Sequence, residues 1–220
     1  MTYQLYYASG SAAMGVRVLL EEIGAPYELI QTTIDMDKPR PPEQLALNPN
    51  GWVPVLIWEE EGTQRSMYEC AAITVFLCDR HAQAGLAPPV DGPTRGLFLQ
   101  TLVYFSNSVQ NAFQLDYYPD RFADIPADEA SAQRRGLRRL RETWQVIDDQ
   151  IGANRWVLGE NFSAADIYLF MLTTWLAPER GQPTLSDFPN VERIALAVME
   201  RPSIQKVYED WIASYEGGQS

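Results

Sequence analysis

The sequence has no long hydrophobic run, and this lack excludes a membrane-spanning helix. No stretch approaches the roughly 18 apolar residues that such a helix needs. The first residues, Met1 to Tyr7, also lack the basic start and the apolar core of a secretory signal peptide. We therefore expect a cytoplasmic protein.

Basic residues are scarce as well. Seventeen lysines and arginines stand against 29 aspartates and glutamates, which gives a net charge of -12. A surface of this sign repels the phosphates of nucleic acids and of anionic membranes, so we expect neither as a partner. An anionic ligand has to be held by local cations or backbone amides.

Cysteine and histidine are too few for a metal site. Cys70 and Cys78 fall within one predicted helix, where a rise of 1.5 Å per residue separates their Cα atoms by about 12 Å. That distance is too long for a disulfide. With His81 as the one histidine, the two cysteines cannot assemble a zinc site, and we expect His81 to cap its helix.

Strand and helix patterns alternate in the first part of the chain. Tyr3 to Tyr7 and Tyr27 to Thr33 favour strands. Between them, apolar residues recur at helical spacing and Gly24 supplies a stop signal. A short helix, two strands and a helix follow. The order βαβαββα predicts an α/β thioredoxin-like domain at residues 1–81.

The second part of the chain predicts helices only. Residues 82–93 are rich in Ala, Gly and Pro and are assigned to a linker. Residues 94–220 form the predicted all-helical domain, in which two long apolar stripes mark two long helices. Ser163 and Asp166 have the spacing of a capping box, a folding signal rather than a catalytic one.

A loop and a helix start between Asn48 and Ile73 are the strongest functional signals. Pro54 begins an apolar strand, and a cis bond before it would leave the N–H and C=O of Val53 open to an incoming peptide. Glu69 and Cys70 lie at a helix N-terminus, which favours an anion, while the Glu69 carboxylate can accept from an ammonium group. Such a site fits a small peptide.

These two motifs, Asn-Pro-x-Gly-x-Val-Pro and Glu-Cys-x-Ala-Ile, resemble those of cytosolic glutathione S-transferases, especially bacterial theta-like and beta-like members. Trp156-Val157-Leu158-Gly159 and Arg201-Pro202-Ser203 extend the resemblance over nearly the whole chain. It implies the glutathione transferase fold, a homodimer and a role in detoxification. It also implies an enzyme that activates the thiolate of its co-substrate glutathione for attack on a small hydrophobic electrophile.

The resemblance also implies the glutathione contacts. Val53, beside Pro54, pairs with the cysteinyl unit, and Glu69 with Cys70 binds the γ-glutamyl end. The family usually has serine where this chain has Cys70, and a thiol is a weaker hydrogen-bond partner than a hydroxyl. Candidates for the glycyl carboxylate are the cations Lys38 and Arg40 and the uncharged side chains of Gln44 and Trp52.

A hydroxyl group near the start of the chain is expected to stabilise the thiolate. A free thiol with a pKa near 8.5 is only a few per cent ionised at neutral pH, and helix N-termini lower thiol pKa values. The loop from Ala8 to Ala13 precedes the first helix, and it offers three candidates that we rank Ser11, Tyr7 and Ser9. Beta-like members carry a cysteine at the position of Ala12, so mixed-disulfide chemistry is not expected there.

The second substrate is expected in the helical domain, where Tyr104, Ser108 and Tyr118 combine aromatic faces with polar groups.

Three other interpretations of the function stay open. The same fold serves glutathione-dependent lyases, isomerases, dehalogenases and peroxidases. The chain can instead be a non-catalytic binding module. In the third interpretation, Cys70 is a redox nucleophile.

Overall fold

The computed structural model describes residues 1–35 and 37–217, which form two compact units. The first unit comprises residues 1–87 and the described residues from Met199 on, and the second comprises Pro88–Val198. The first unit begins with β1 (Tyr3–Tyr7), α1 (Ala13–Glu22), β2 (Tyr27–Gln31), α2 (Pro42–Leu47), β3 (Val55–Glu60), β4 (Thr63–Tyr68), α3 (Cys70–Arg80) and a 3₁₀ turn (Ala82–Ala84). This order of elements is the predicted βαβαββα.

The four strands form one mixed sheet in the order β2-β1-β3-β4. β1 runs parallel to β2 and antiparallel to β3, and β3 and β4 form an antiparallel hairpin. The parallel pair requires a crossover connection, which α1 supplies. The structure confirms the predicted thioredoxin-like fold, although β2 ends at Gln31 rather than at Thr33.

The core of the first unit lies at the central strands and α1. Leu5 in β1 and Val55 in β3 are fully buried, and so are Val16 and Leu20 in α1. Gly24, with φ at +66°, follows the end of α1 and confirms the stop signal. The edge strands β2 and β4 are exposed along most of their length.

The second unit is helical, as predicted. α4 (Arg95–Tyr104) continues through a π-helical segment (Phe105–Val109) into α5 (Gln110–Tyr117), and α6 (Glu129–Ile151), α7 (Ala164–Thr173) and α8 (Pro189–Met199) follow. Short 3₁₀ turns lie at Pro119–Phe122, Pro126–Asp128, Pro178–Arg180 and Leu185–Asp187. Within residues 1–35 and 37–217, no helix is both long enough and apolar enough to cross a membrane.

The two long apolar stripes form the core of the second unit. One stripe runs along α4, the π-helical segment and α5, and the other runs along α6. Their buried members are Phe98, Leu102, Phe105, Val109, Phe113, Leu140, Trp144, Ile147 and Ile151. Leu137, which the sequence pattern placed in the second stripe, is half-buried.

The start of α7 has the predicted capping box. Ser163 Oγ accepts a hydrogen bond from the backbone N–H of Ala165, and the Asp166 carboxylate accepts one from the backbone N–H of Ser163 at 2.8 Å. Asp166 also accepts from the backbone N–H of Val157 at 2.8 Å. It is fully buried and joins the preceding loop to the helix start, which agrees with a role in folding.

The C-terminal segment packs with the first unit, whereas the sequence analysis grouped all residues from 94 on in the helical domain. This segment contains α9 (Pro202–Val207) and α10 (Glu209–Gly217). Arg201 donates to both carboxylate oxygens of Glu22, at 2.8 and 2.6 Å, and Lys206 lies 2.8 Å from Glu21. Helical periodicity identifies these helices but does not specify which surface they pack against.

Gly136 allows the close approach of α6 to α5. A Cβ atom at Gly136 would lie 2.9 Å from the backbone nitrogen of Asp116 and 2.9 Å from Leu115 Cβ. A Cβ atom at Gly96, in α4, would meet nothing within 4 Å.

We predict that Gly136→Ala lowers the free energy of unfolding by about 2 kcal/mol through overpacking. Gly96→Ala is the matched control and raises it by up to about 1 kcal/mol through helix propensity. Urea denaturation measures both, and equal effects of the same sign contradict the packing argument.

Asp166 gives the stability a defined pH dependence. Burial raises the pKa of its carboxyl from 3.8 to about 6. Between these values the folded protein holds a proton that the unfolded chain has lost, so this contribution to the free energy of unfolding falls as pH rises and is constant above about pH 6. From pH 5 to 7.5 we expect wild type to lose about 1 kcal/mol relative to Asp166→Asn, which does not titrate. Urea denaturation of both proteins measures the difference, and a difference independent of pH is the contrary result.

Candidate active site

Val53 presents an open backbone edge next to β3. The Val53–Pro54 peptide bond is cis, and the Val53 side chain packs against Tyr6, Val55 and Ile57. Among residues 1–35 and 37–217, no backbone hydrogen bond is made to or from Val53. Its N–H and C=O are therefore available to an extended ligand, as a strand edge is.

The loop that leads to Val53 is held through the carbonyl oxygen of Gly51. Arg40 Nε donates to this oxygen at 3.1 Å and Gln44 Nε2 donates to it at 2.9 Å. Gly51 has φ at +69°, and a Cβ atom there would lie 2.9 Å from Arg40 Cγ. Gly51 is therefore required both for its backbone conformation and for the space that it leaves.

Val53 and the N-terminus of α3 flank the same end of the β3–β4 hairpin. β3 and β4 pair Val55 with Tyr68; Val53 stands two residues before Val55 in the chain, and Cys70 stands two residues after Tyr68. Glu69 is the N-cap of α3 and has φ at 75°, an uncommon value for a residue other than glycine and one that clusters at functional sites. Its side chain is exposed. The first N–H groups of the helix and the positive end of its dipole favour an anion here.

Cys70 is the first residue of α3, and it is buried. Its side chain is 7% exposed, and its Sγ donates to the carbonyl oxygen of Ala12 at 3.6 Å. Cys78 is 3% exposed and donates to the carbonyl oxygen of Leu86. A buried thiol of this kind packs as a small apolar residue. No observation favours Cys70 as a redox nucleophile over this structural role.

The serines of the loop between β1 and α1 differ in their surroundings. Ser11 is buried; its Oγ donates to the carbonyl oxygen of Ala8 at 2.6 Å and accepts from the backbone N–H of Ala13 at 3.2 Å. Ser9 is exposed at a turn where Gly10 has φ at +72°. The structure thus gives Ser11 the turn-forming contacts that serine commonly makes.

Tyr7, the third hydroxyl candidate, ends β1 and is 8% exposed. Its hydroxyl donates to Met14 Sδ at 2.9 Å and accepts from Arg17 Nη1 at 3.5 Å. Arg17 was missed by the sequence reasoning. It lies on α1 among apolar residues at helical spacing, and no sequence signal indicates which strand residue it contacts.

The candidates for the glycyl carboxylate separate into two groups. Gln44 is fully buried and accepts from Thr32 Oγ1 at 2.7 Å, so it holds the loop instead of reaching a ligand. Arg40 Nη1 donates to the carbonyl oxygens of Asp35 and Lys38. The Lys38 side chain is 67% exposed and pairs with Asp35, and Trp52 is 43% exposed. Lys38 and Trp52 are therefore the more accessible candidates.

The predicted substrate residues lie in the second unit. Tyr104 ends α4, Ser108 belongs to the π-helical segment and Tyr118 follows α5. All three are half-buried, and Arg121 lies over the Tyr118 ring at 4.0 Å. π-helical segments are frequent at functional sites, and this one is not visible in the sequence pattern. The assignment of these residues to a substrate pocket stays a prediction.

No cluster of three or more His, Cys, Asp or Glu side chains arranged for a metal ion is present in residues 1–35 and 37–217. His81 follows α3 as predicted, and its backbone N–H donates to the carbonyl oxygen of Leu77 at 3.0 Å. Its ring contacts the Tyr3 hydroxyl at 2.9 Å. Burial lowers the pKa of His81, and the Arg80 charge contributes in the same direction.

The chain matches two family models. The N-terminal domain of glutathione S-transferases matches residues 10–80, and the C-terminal domain matches residues 101–202. The uncharacterized GST-like protein YncG of Escherichia coli (strain K12) is 32% identical over 162 residues, which cover 73% of this chain and 74% of that protein. Glutathione S-transferase GstA of Escherichia coli O157:H7 is 25% identical over 205 residues, 92% of this chain and 95% of that protein.

Solved structures show the same architecture. A glutathione transferase from Burkholderia graminis, determined with two glutathione molecules per subunit, is 26% identical with a TM-score of 0.77 and covers 94% of this chain and 87% of its own. A homologue from Sulfitobacter with bound glutathione has 23% identity and a TM-score of 0.83 over 95% of this chain and 98% of its own, which supports the fold.

A thioredoxin-like unit followed in the chain by a helical unit defines a two-domain protein with the architecture of these solved structures. The matches to both domain models and to YncG identify the family. This chain belongs to the glutathione S-transferase family.

Proposed function

We propose that the protein is a glutathione transferase, which activates the thiol of glutathione for attack on a small hydrophobic electrophile. The observation that carries this proposal is the open backbone edge of Val53 at the end of the β3–β4 hairpin from which α3 begins. A peptide backbone pairs with such an edge, while a carboxylate is favoured at the helix N-terminus. Family membership and relatives named glutathione S-transferase support the same activity.

The proposed binding mode assigns each part of glutathione to one feature. Val53, beside Pro54, pairs with the cysteinyl backbone. The γ-glutamyl carboxylate accepts from the first N–H groups of α3, starting at Cys70, and the Glu69 carboxylate accepts from the ammonium group. Lys38 is exposed in the loop before α2 and supplies a cation for the glycyl carboxylate. Because the chain carries a net charge of -12, this anionic ligand depends on such local groups.

The proposed chemistry is a nucleophilic attack by the glutathione thiolate. The cysteinyl sulfur lies against the loop from Ala8 to Ala13, at the N-terminus of α1, where the helix dipole favours the ionised thiol. A hydroxyl from Ser11, Tyr7 or Ser9 donates to the sulfur. No metal takes part in this step. The electrophile is assigned to the helical unit, with Tyr104, Ser108 and Tyr118 as its lining.

The second part of the proposal concerns assembly and setting. We propose a cytoplasmic homodimer with a role in detoxification, as the resemblance implies. Leu99 and Val103 lie one turn apart on α4 and are 39% and 57% exposed. Burying exposed apolar side chains against a partner is favourable, which supports this face as the contact between two copies of the chain.

We predict that the protein binds glutathione in titration calorimetry and turns over a chlorinated nitroaromatic electrophile. Replacing Glu69 by Gln removes a charge-assisted hydrogen bond and weakens binding by about tenfold. Glu61→Gln is the matched control, because Glu61 is also an exposed glutamate with a positive φ, at 52°. Binding without turnover on any electrophile favours the non-catalytic module, and no binding contradicts the proposal.

Sedimentation equilibrium tests the proposed dimer. We expect a mass of roughly twice the 24.9 kDa of the chain for wild type. Val103→Glu places a charge in the proposed contact and shifts the protein toward the monomer, because an unpaired charge is costly to bury. Val90→Glu is the control, since Val90 is 74% exposed outside α4, and it leaves the mass unchanged. A monomeric wild type rules the dimer out.

A further inference from the structure

A connected row of polar side chains runs from α9 to the end of β1. Lys206 Nζ lies 2.8 Å from the Glu21 carboxylate, to which the Tyr27 hydroxyl also donates. Arg17 Nε donates to the Tyr27 hydroxyl at 3.3 Å, and Arg17 Nη1 donates to the Tyr7 hydroxyl at 3.5 Å. Tyr7 immediately precedes the loop where the proposed function places the sulfur, so the row ends at the residue that leads into that loop.

Arg17 is a half-buried cation without a carboxylate partner. Within residues 1–35 and 37–217, no carboxylate oxygen lies within 4.0 Å of its guanidinium nitrogens. Glu21, one turn later on α1, accepts a hydrogen bond from the Tyr27 hydroxyl and forms an ion pair with Lys206. Burial acts to raise the pKa of Glu21, but the hydrogen bonds from Lys206 and Tyr27, together with the charges of Lys206 and Arg17, outweigh it and the pKa is lowered. A partly buried cation in this state favours an additional anion nearby.

Tyr7 connects this cation to a sulfur acceptor. The Arg17 guanidinium lies over the Tyr7 ring, 5.4 Å from its centroid, and donates to its oxygen. Since Arg17 occupies an acceptor position of the hydroxyl, the phenolic proton points elsewhere, and it points to Met14 Sδ at 2.9 Å. A thiolate is a stronger acceptor than a thioether because its charge strengthens the hydrogen bond.

We propose that Arg17 is a positioning residue for the glutathione thiolate: it orients the Tyr7 hydroxyl, which donates to the thiolate sulfur in place of Met14 Sδ. This inference rests on the proposed function. The thiol proton leaves to solvent and Tyr7 keeps its own proton. The sulfur electron pair forms the bond to the electrophile, whose leaving group departs with the electron pair of the broken bond, as chloride does from a chlorinated nitroaromatic. Met14 is flexible enough to turn aside. Tyr7 thereby ranks above Ser11, whose proton is held by the Ala8 carbonyl oxygen.

The test measures the pKa of the bound thiol from its thiolate absorbance, with S-methylglutathione as the blank, and the pH profile of kcat/KM. We expect Arg17→Met to raise the bound-thiol pKa by about one unit, because the Tyr7 hydroxyl loses the partner that orients it to donate to the thiolate. At a pH below the wild-type value, kcat/KM falls by about tenfold. The glutathione affinity changes little, and the rates of the two proteins converge at high pH, where both thiols are ionised.

Three comparisons separate positioning from a structural role. Arg17→Lys keeps a cationic N–H donor for the Tyr7 oxygen and restores most of the lost rate. Tyr7→Phe raises the bound-thiol pKa, and adding Arg17→Met to it has no further effect, because Arg17 acts through Tyr7. Arg80→Met is the control, since Arg80 also lies over an aromatic ring, that of Phe76 at 5.3 Å, but near the opposite end of β1; it leaves the thiol pKa unchanged.

The possible outcomes distinguish this inference from the proposed function. If wild type binds glutathione and lowers its thiol pKa while Arg17→Met does the same, Arg17 has no positioning role. An equal effect of Arg17→Met with and without Tyr7→Phe shows that it does not act through Tyr7. If Ser11→Ala raises the thiol pKa and Tyr7→Phe does not, the ranking of the hydroxyls is wrong. If wild type does not bind glutathione, the proposed function fails and this inference with it.

Discussion

The carbonyl oxygen of Gly51 accepts the hydrogen bonds that position the candidate site. Arg40 and Gln44 both donate to it, and a side chain at Gly51 would collide with Arg40. This pair of bonds fixes the loop that enters β3, and the loop determines where the unpaired backbone of Val53 lies. A peptide-binding edge has to be both open and immobile, because a mobile edge loses conformational entropy when it binds. The side chains that appear in sequence to be ligand groups here instead provide that rigidity.

The charge of the chain shapes the rest of the site. A protein with a net charge of -12 that holds a peptide with two carboxylates and a thiolate needs positive potential at defined points. In the proposed binding mode, this potential comes mainly from helix N-termini, at α3 for a carboxylate and at α1 for the sulfur. Lys38 and Arg17 are the side-chain cations in that proposal. Helix dipoles supply this potential without adding mobile basic residues to the surface.

Local sequence signals predicted most of the fold. Three of these signals depend only on neighbours within one or two turns: the stop at Gly24, the capping box of Ser163 and Asp166, and the apolar stripes in the two long helices. The local sequence is therefore sufficient to predict them. The sequence did not indicate the π-helical segment or the packing of α9 against the first unit. It also did not indicate that Gln44 is buried or that Arg17 contacts Tyr7. These features depend on contacts between distant parts of the chain, about which periodicity carries no information.

The return of the C-terminal segment to the first unit has a consequence for biosynthesis. The helical unit is continuous in sequence, so all of its parts are available as soon as residue 198 has been synthesised. The thioredoxin-like unit is interrupted, and Glu21 and Glu22 obtain their partners Lys206 and Arg201 only after the whole helical unit has been synthesised. On the ribosome, the thioredoxin-like unit is therefore completed after the helical unit, and its two glutamates lack these basic partners while the helical unit is synthesised.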